Sequence, residues 1–404
     1  MIDIKLLREN PEKVKKACTN KQAKVDIDKI LELDKEKRRL IQEIEGLKAE
    51  QNKLGKGGLE KARELKEKIK TLEPELEKVE KEFNELFLQI PNLPLDDVPI
   101  GKDESENKVI KTVGKAEKFG KGYLELAEKL DIIDVKRAAK VSGTRFGYLK
   151  KAAVLLEFAL ENLASEILMK EGFIPVDPPM MIRTEMMKGM GYMEKGSEEI
   201  YQLPKDDLVL IGTAEQSIGP MHADEVFNEK DLPKRYIGYS YCFRREAGSY
   251  GKDTKGIFRV HQFYKVEMFS FCHPDKSKQE HQFFLKMEEK LMQALKIPYR
   301  VVEICTGDLG DPAAAKYDIE AWLPGQNEYR ETHSTSNCTD FQARRLNIRY
   351  KTKDNKLNFV HTLNGTAFAI GRTLIAIIEN YQQKDGSIEV PKILRKYVGF
   401  KKII

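Results

Sequence analysis

The most informative segment of the chain is residues 235–267, which read RYIGYSYCFRREAGSYGKDTKGIFRVHQFYKVE. Residues 235–246 are rich in aromatic side chains and predict a β-strand. Residues 247–256 contain three glycines and predict a loop. Residues 258–267 return to the strand pattern. The sequence therefore predicts a long hairpin of two antiparallel strands.

Charged and aromatic side chains occupy fixed places on this hairpin. Side chains alternate along a strand, which predicts one shared face for Arg244 and Glu246 and another for Phe263 and Glu267. Arginine can clamp phosphate through two hydrogen bonds, a carboxylate can accept a proton from an exocyclic amine, and an aromatic ring can stack on a base. This set suits a phosphate-bearing purine. The alternative is a surface hairpin with cross-strand ion pairs.

Hydrophobic patterns around the hairpin predict a mixed fold. Residues 151–170 carry apolar side chains at helical spacing, strand-like alternation follows up to residue 363, and another strong helix comes next. This order is typical of an α+β fold in which helices pack on a mostly antiparallel sheet. Prolines and a glycine within residues 91–113 indicate a linker before this part of the chain.

The first ninety residues follow a heptad pattern instead. Residues 55–58 (Gly-Lys-Gly-Gly) provide the backbone freedom for a reversal, and the pattern predicts an antiparallel two-helix coiled coil about 42 Å long at ~1.5 Å per residue. Pro74 predicts a kink in the second helix. The first helix carries Leu33, Leu40, Leu47 and Leu54, and the second carries Leu65, Ile69, Leu72, Leu76, Val79, Phe83, Leu86 and Ile90.

The function of this hairpin is open on composition alone. Residues 1–90 carry 18 Lys and 4 Arg against 4 Asp and 16 Glu, a net charge of +2. That charge is weak support for nucleic-acid binding. A dimerisation or spacer element and an arm that reaches a large partner are both compatible with it.

The overall composition excludes several classes of protein. The chain has 404 residues, 41% hydrophobic and 33% charged, with a net charge of +5. It is too apolar for a disordered protein and has no apolar run of the ~18 residues that a membrane-spanning helix needs. Its five cysteines lie far apart without a C-x-x-C pair, which argues against a disulfide framework or a zinc knuckle. We expect a cytoplasmic protein with no membrane partner.

Several motifs resemble known enzymes. Phe243-Arg244-x-Glu246 with Arg259-x-x-x-Phe263 resembles motif 2 of class II aminoacyl-tRNA synthetases, and Gly371-Arg372 before a helix resembles motif 3. Residues 149–179, a long helix followed by a strand, resemble motif 1, the dimer element. The segments 90–94, 213–215, 336–345, 361–366 and 390–399 resemble the seryl-tRNA synthetase family in particular, and all these matches follow one another in order.

The resemblance implies a domain organisation and an activity. Residues 1–100 would be a helical-hairpin tRNA-binding arm with its linker, and residues 101–404 a class II synthetase catalytic domain with a mostly antiparallel sheet flanked by helices. The enzyme would activate L-serine with ATP to seryl-adenylate and pyrophosphate. It would then transfer serine to the 3′ end of a serine tRNA, with the selenocysteine tRNA as a further candidate. It would act as a homodimer and use Mg²⁺.

The resemblance also implies roles for individual residues. Arg244 and Arg372 would be catalytic, and Glu331 with Ser334 would bind Mg²⁺ through hard oxygen ligands. The serine pocket would contain Thr213, Ala214, Glu215, Arg244, Glu267 and Thr366. ATP would be bound by Arg244, Arg245, Glu246, Val260, Phe263, Glu331, Thr332, His333, Ser334 and Arg372.

Two other functions are possible on the same fold. A catalytically inactive RNA-binding paralogue would have lost Arg244, Glu246, Glu267 or Arg372, and all four are present. An amino acid:carrier-protein ligase would not need the helical arm.

Overall fold

The computed structural model describes residues 1–54, 58–194, 196–247, 251 and 253–404. These residues divide into two compact units, Met1–Leu93 and Pro94–Ile404. Most of the predicted reversal at residues 55–58 lies outside the described residues. Within the described residues, no helix combines the length and apolarity that crossing a bilayer requires.

The first unit contains a long helical hairpin. Its helices are α1 (Ile4–Glu9), α2 (Pro11–Asn20), α3 (Ile27–Lys53) and α4 (Leu59–Phe87). Helices α3 and α4 run antiparallel, since Lys48 near the end of α3 pairs with Glu73 at 2.9 Å whereas Lys37, earlier in α3, pairs with Glu80 at 3.2 Å. The predicted two-helix arm is therefore confirmed.

Apolar side chains hold the two helices together at the predicted heptad positions. Leu33 and Leu40 of α3 and Leu65 and Ile69 of α4 are buried. Such a seam stabilises a helix pair because each helix covers the apolar stripe of the other. Helix α4 continues through Pro74, so this residue does not end the helix, and the kink stays a prediction.

The second unit combines helices with sheets. Its α-helices are α5 (Tyr123–Lys129), α6 (Val135–Ser142), α7 (Ala152–Met169), α8 (Thr184–Met190), α9 (Glu215–Ile218), α10 (Ser277–Leu295), α11 (Phe341–Arg345), α12 (Ile370–Asn380) and α13 (Arg395–Val398). Its strands are β1 (Lys108–Val113), β2 (Ile133–Asp134), β3 (Tyr148–Leu149), β4 (Ile174–Val176), β5 (Met181–Arg183), β6 (Gln202–Leu203), β7 (Leu208–Leu210), β8 (Val226–Asn228), β9 (Lys234–Phe243), β10 (Gln262–Cys272), β11 (Tyr299–Glu303), β12 (Ala315–Leu323), β13 (Glu328–Asn337), β14 (Arg349–Lys351), β15 (Leu357–Phe359), β16 (His361–Ala369), β17 (Ile388–Glu389) and β18 (Lys402–Ile403).

One large sheet organises this unit. Over the described residues it has eight strands in the order β1-β11-β12-β13-β16-β10-β9-β4. Neighbouring strands are antiparallel except β4 and β9, which are parallel. The predicted α+β fold with a mostly antiparallel sheet is confirmed.

Helices α7, α10 and α12 pack on one face of the sheet and form the main core. This core includes Leu160 of α7, Phe284 of α10 and Ile377 of α12, together with Val266 and Met268 of β10. Side chains alternate along a strand, so the side chains of β10 that lie between or next to Val266 and Met268 point to the opposite face of the sheet. That face carries the cavity described below.

The central hairpin differs from its prediction in its limits. The predicted strands 235–246 and 258–267 appear as β9 and β10, with Phe243 opposite Gln262. Arg244 and Glu246 therefore lie beyond the end of β9, and Glu246 has a left-handed backbone with φ of 53°. The prediction that strand alternation places Arg244 and Glu246 on one face is therefore wrong, because neither residue belongs to the strand.

Candidate active site

A cavity of about 750 Å³ lies on the sheet face opposite the main core. Strands β10, β13 and β16 supply its floor, and the start of α12 and the chain after β9 supply its walls. The predicted residues that line it are Thr213, Glu215, Arg244, Glu246, Val260, Phe263, Glu267, Glu331, Thr332, Ser334, Thr366 and Arg372. The fold therefore brings together most of the residues that the sequence analysis singled out.

Three predicted site residues are not among the described residues that line the cavity: Ala214, Arg245 and His333. Ala214 is fully buried in a separate apolar cluster. The guanidinium of Arg245 lies over the ring of Tyr201, 5.4 Å from its centroid. The imidazole of His333 is buried edge-on against Phe368. These positions give no support to direct substrate contacts by the three side chains.

The acidic end of the cavity contains Glu215 and Glu267. Glu267 lies on β10 opposite Thr366 of β16, and its carboxylate forms an ion pair with Lys265. The Nζ of Lys265 also lies 3.4 Å from Oγ1 of Thr213. Burial raises the pKa of both carboxyl groups, and the nearby ammonium of Lys265 opposes the rise. This end offers oxygen acceptors to a small cationic, hydroxyl-bearing group.

The basic end of the cavity contains Arg244 and Arg372. The Nε of Arg244 donates to the carbonyl oxygen of Gly212 at 3.1 Å, and its guanidinium lies 5.2 Å from the centre of the Phe263 ring. Arg372, in the first turn of α12, donates through Nη1 to the carbonyl oxygen of Glu331 at 3.0 Å. A helix N-terminus adds favourable potential for anions to that of the two guanidinium groups.

A backbone irregularity explains why Glu331 and Ser334 both face the cavity. Residues three apart on a regular strand point to opposite faces. The β12–β13 register shifts here, since Glu320 is opposite Glu331 whereas Ile319 is opposite His333, so Thr332 is an extra residue. Such a bulge resets the alternation. The sequence alone does not predict this bulge.

The oxygen donors here fit a hard cation. Burial opposes the ionisation of Glu331, yet Arg372, Lys316 and Arg244 lower its pKa to about 2, so it carries a full charge. The hydroxyl of Ser334 lines the cavity as well and adds a second oxygen. Across the described residues, no group of three or more His, Cys, Asp or Glu side chains could hold a metal. Mg²⁺ usually takes one or two carboxylates and completes its shell with phosphate and water, so the carboxylate of Glu331 and the hydroxyl of Ser334 are oxygen ligands of a kind that it accepts.

The cavity is also lined by residues to which the sequence motifs gave no role, among them Tyr192, Lys265, Lys316, Ser336 and Asn364. Lys265 was accessible from the pattern, because it lies two residues from both Phe263 and Glu267 on the same strand face. Tyr192 carried no such signal, since it follows α8 in a loop far from the recognised motifs.

The fold and the cavity together define the catalytic core of a class II aminoacyl-tRNA synthetase. A family model described as the tRNA synthetase class II core domain (G, H, P, S and T) matches residues 199–381. A second model, the seryl-tRNA synthetase N-terminal domain, matches residues 1–94.

Relatives that match the whole chain show to which family of this class it belongs. The serine–tRNA ligase of Dictyoglomus thermophilum is 49% identical over 100% of this chain and 99% of its own length. A crystal structure of seryl-tRNA synthetase from Pyrococcus horikoshii complexed with ATP superposes with a TM-score of 0.93 at 44% identity, covering 100% of this chain and 99% of that one. A crystal structure of the cytoplasmic serine–tRNA ligase from Naegleria fowleri in complex with AMP superposes with a TM-score of 0.90 at 37% sequence identity. The match covers 100% of this chain and 98% of that one. The chain belongs to the seryl-tRNA synthetase family, as the motifs predicted.

Proposed function

We propose that the protein activates L-serine with ATP, forming seryl-adenylate and pyrophosphate, and then transfers serine to the 3′ end of a serine tRNA. One observation carries the proposal: a single cavity joins an acidic pocket, formed by Glu215 and Glu267, to a pair of arginines, Arg244 and Arg372. The acidic pocket suits an amino acid with a small polar side chain, and the pair of arginines suits a nucleoside triphosphate.

The acidic pocket supports the choice of serine. Glu215 and Glu267 suit the ammonium group, and Thr213, Thr366 and Glu267 suit the side-chain hydroxyl. These polar groups would be left unpaired by alanine, so a buried polar pocket rejects that analogue strongly.

The basic end supports the adenylation step. The serine carboxylate attacks the α-phosphorus of ATP, a P–O bond to that carboxylate forms, and the bond to the departing pyrophosphate breaks. Arg244 would orient the carboxylate and the α-phosphate, while Arg372 would hold the γ-phosphate. Positioning and neutralisation of charge supply most of the catalysis in such a transfer.

The remaining ATP contacts follow the same chemistry. Glu246 and Phe263 would hold adenine, with Val260 and Thr332 beside the nucleotide. Glu246 is already fixed by an ion pair with Arg259 at 2.9 Å. Glu331 and Ser334 would hold Mg²⁺, which neutralises phosphate charge when it is bound.

Transfer to tRNA would use the arm. We assign residues 1–100 to tRNA binding with the linker, and residues 101–404 to catalysis. Basic side chains on α3 and α4 would contact phosphates and read the shape of the RNA rather than its bases. The family match over residues 1–94 supports this assignment.

A homodimer is also part of the proposal. The segment that resembles the dimer element includes α7, where Leu155 is 45% exposed and Phe158 is 52% exposed. Large apolar side chains exposed together on a helix mark an interaction surface. A cytoplasmic location and service of the selenocysteine tRNA remain expectations from the sequence.

Pyrophosphate exchange with each of the twenty amino acids, followed by charging of a serine tRNA, tests the proposal. We expect exchange that depends on serine and full charging. Absence of serine-dependent exchange would overturn it, and exchange without charging would favour a carrier-protein ligase.

A further inference from the structure

Tyr192 reaches the acidic end of the cavity from a loop that carries no recognised motif. The loop follows α8, which ends at Gly191 in a left-handed conformation with φ of 86°. A side chain at position 191 would collide with the ring of Phe341, 2.8 Å from the added carbon. This close approach brings the next residue inward, and the hydroxyl of Tyr192 donates a hydrogen bond to Oε1 of Glu215.

Glu215 depends on such a donor. Its side chain is buried, with 3% of the residue exposed, and it lies in the first turn of α9 on the cavity wall. Burial disfavours the charged form, whereas the tyrosine bond and the nearby Lys265 and Arg244 favour it. The carboxylate thus has one oxygen occupied by a tyrosine.

The two carboxylates of the pocket have different kinds of partner. Glu267 is paired with a cation, Lys265, whereas Glu215 is held by a neutral hydroxyl. A cation neutralises the carboxylate that it binds. A neutral donor orients the carboxylate and leaves its net charge in place. Glu215 therefore presents an oriented carboxylate to an incoming ammonium group, beside the ion-paired carboxylate of Glu267.

We propose that Tyr192 is a positioning and specificity-determining residue for serine: its hydroxyl holds Oε1 of Glu215 and leaves Oε2 for the substrate's ammonium group. The inference rests on the proposed function, because it takes serine as the occupant of this pocket. It adds to that function a residue that acts through Glu215, from a loop outside the class II motifs.

The variant Tyr192→Phe removes the hydroxyl and keeps the ring. We expect the KM for serine in pyrophosphate exchange to rise about tenfold, the typical effect of removing a hydrogen bond to a charged group. The KM for ATP and kcat should stay within about twofold of the wild type. Tyr381→Phe is the matched control, since Tyr381 donates to the carbonyl oxygen of Leu295 at 2.6 Å, away from the cavity-lining residues.

Two outcomes would overturn the inference. One is a KM for serine within about twofold of the wild type. The other is an equal loss of serine and ATP affinity, which would indicate a general structural role. The wild-type enzyme, measured in parallel, separates this failure from failure of the proposed function. Loss of serine-dependent exchange in the wild type would overturn the proposed function, whereas normal exchange in the wild type with either outcome above would overturn the inference alone.

A second pair of variants tests the donor itself. Tyr192→Gln keeps a neutral N–H donor on a shorter side chain, and Tyr192→Leu keeps only apolar bulk. We expect the Gln variant to bind serine several times more tightly than the Leu variant, with equal melting temperatures by circular dichroism. Equal serine affinity of the two would contradict a role for the hydrogen bond.

Discussion

The Nη1 of Arg372 lies 3.2 Å from Oε2 of Glu331. This pair joins the residue proposed to bind the γ-phosphate to the residue proposed to bind Mg²⁺. Arg372, which would bind an anionic phosphate, is paired with a carboxylate, and Glu331, which would bind a cation, is paired with a guanidinium. The pair therefore prepares one region of the cavity for both ligands, and it can be tested from either side.

Replacing Arg372 should impair adenylation. Arg372→Lys keeps a charge but loses the planar fork that binds phosphate through two hydrogen bonds. We expect kcat for pyrophosphate exchange to fall about 100-fold, within the range for loss of one donor that stabilises transition-state charge. Arg395→Lys, which alters the ion pair with Glu389 away from the cavity, should change kcat less than about twofold. An unchanged kcat in Arg372→Lys would contradict the assignment.

Replacing Glu331 should alter the response to Mg²⁺. Glu331→Gln keeps the shape and removes the charge, so the half-saturating Mg²⁺ concentration in pyrophosphate exchange should rise about tenfold. The KM for serine should change little, because Glu331 contributes to the basic end of the cavity. Glu389→Gln provides the matched control. The same Mg²⁺ requirement in Glu331→Gln and the wild type would exclude Glu331 as a ligand.

Serine binding should weaken as the pH falls. Burial raises the pKa of Glu267 to about 7 and also raises the pKa of Glu215, so both groups take up protons at a higher pH than ordinary carboxyl groups. Protonation removes the charge that attracts ammonium, although Lys265, Arg244 and the Tyr192 hydroxyl oppose it. We expect the KM for serine to increase as the pH is lowered from about 8 to about 6.

The KM for ATP provides the internal comparison for this titration. Glu331 has a pKa lowered to about 2 and stays ionised across the same range. The KM for ATP should therefore change much less than the KM for serine. Parallel pH profiles for the two substrates would contradict a special role of the two buried carboxyl groups.

Removing the arm should separate the two steps of the reaction. Deletion of residues 30–86, with a short Gly-Ser linker in their place, should spare serine-dependent pyrophosphate exchange and abolish tRNA charging. The physical reason is that the cavity residues all belong to the second unit, whereas the proposed tRNA contacts belong to the first. Equal loss of both activities would argue against an arm dedicated to tRNA.

Patterns that repeat along the chain were predictable. The heptads of the arm and the alternation on β10 depend on neighbours three, four or two residues apart, and local geometry fixes which way such neighbours point. The family motifs also lie within short segments, and this is why the sequence alone predicts Arg244, Glu267 and Arg372 as site residues.

The other contacts of the site depend on how distant segments pack. Tyr192 meets Glu215 across 23 positions of the chain, and a close approach at Gly191 rather than any motif brings them together. The bulge at Thr332 turns Ser334 into the cavity and leaves His333 buried behind it. The sequence determined which elements form and which family they belong to. Packing determined which side chains share the cavity, because contacts between distant segments depend on strand register and on the space between elements.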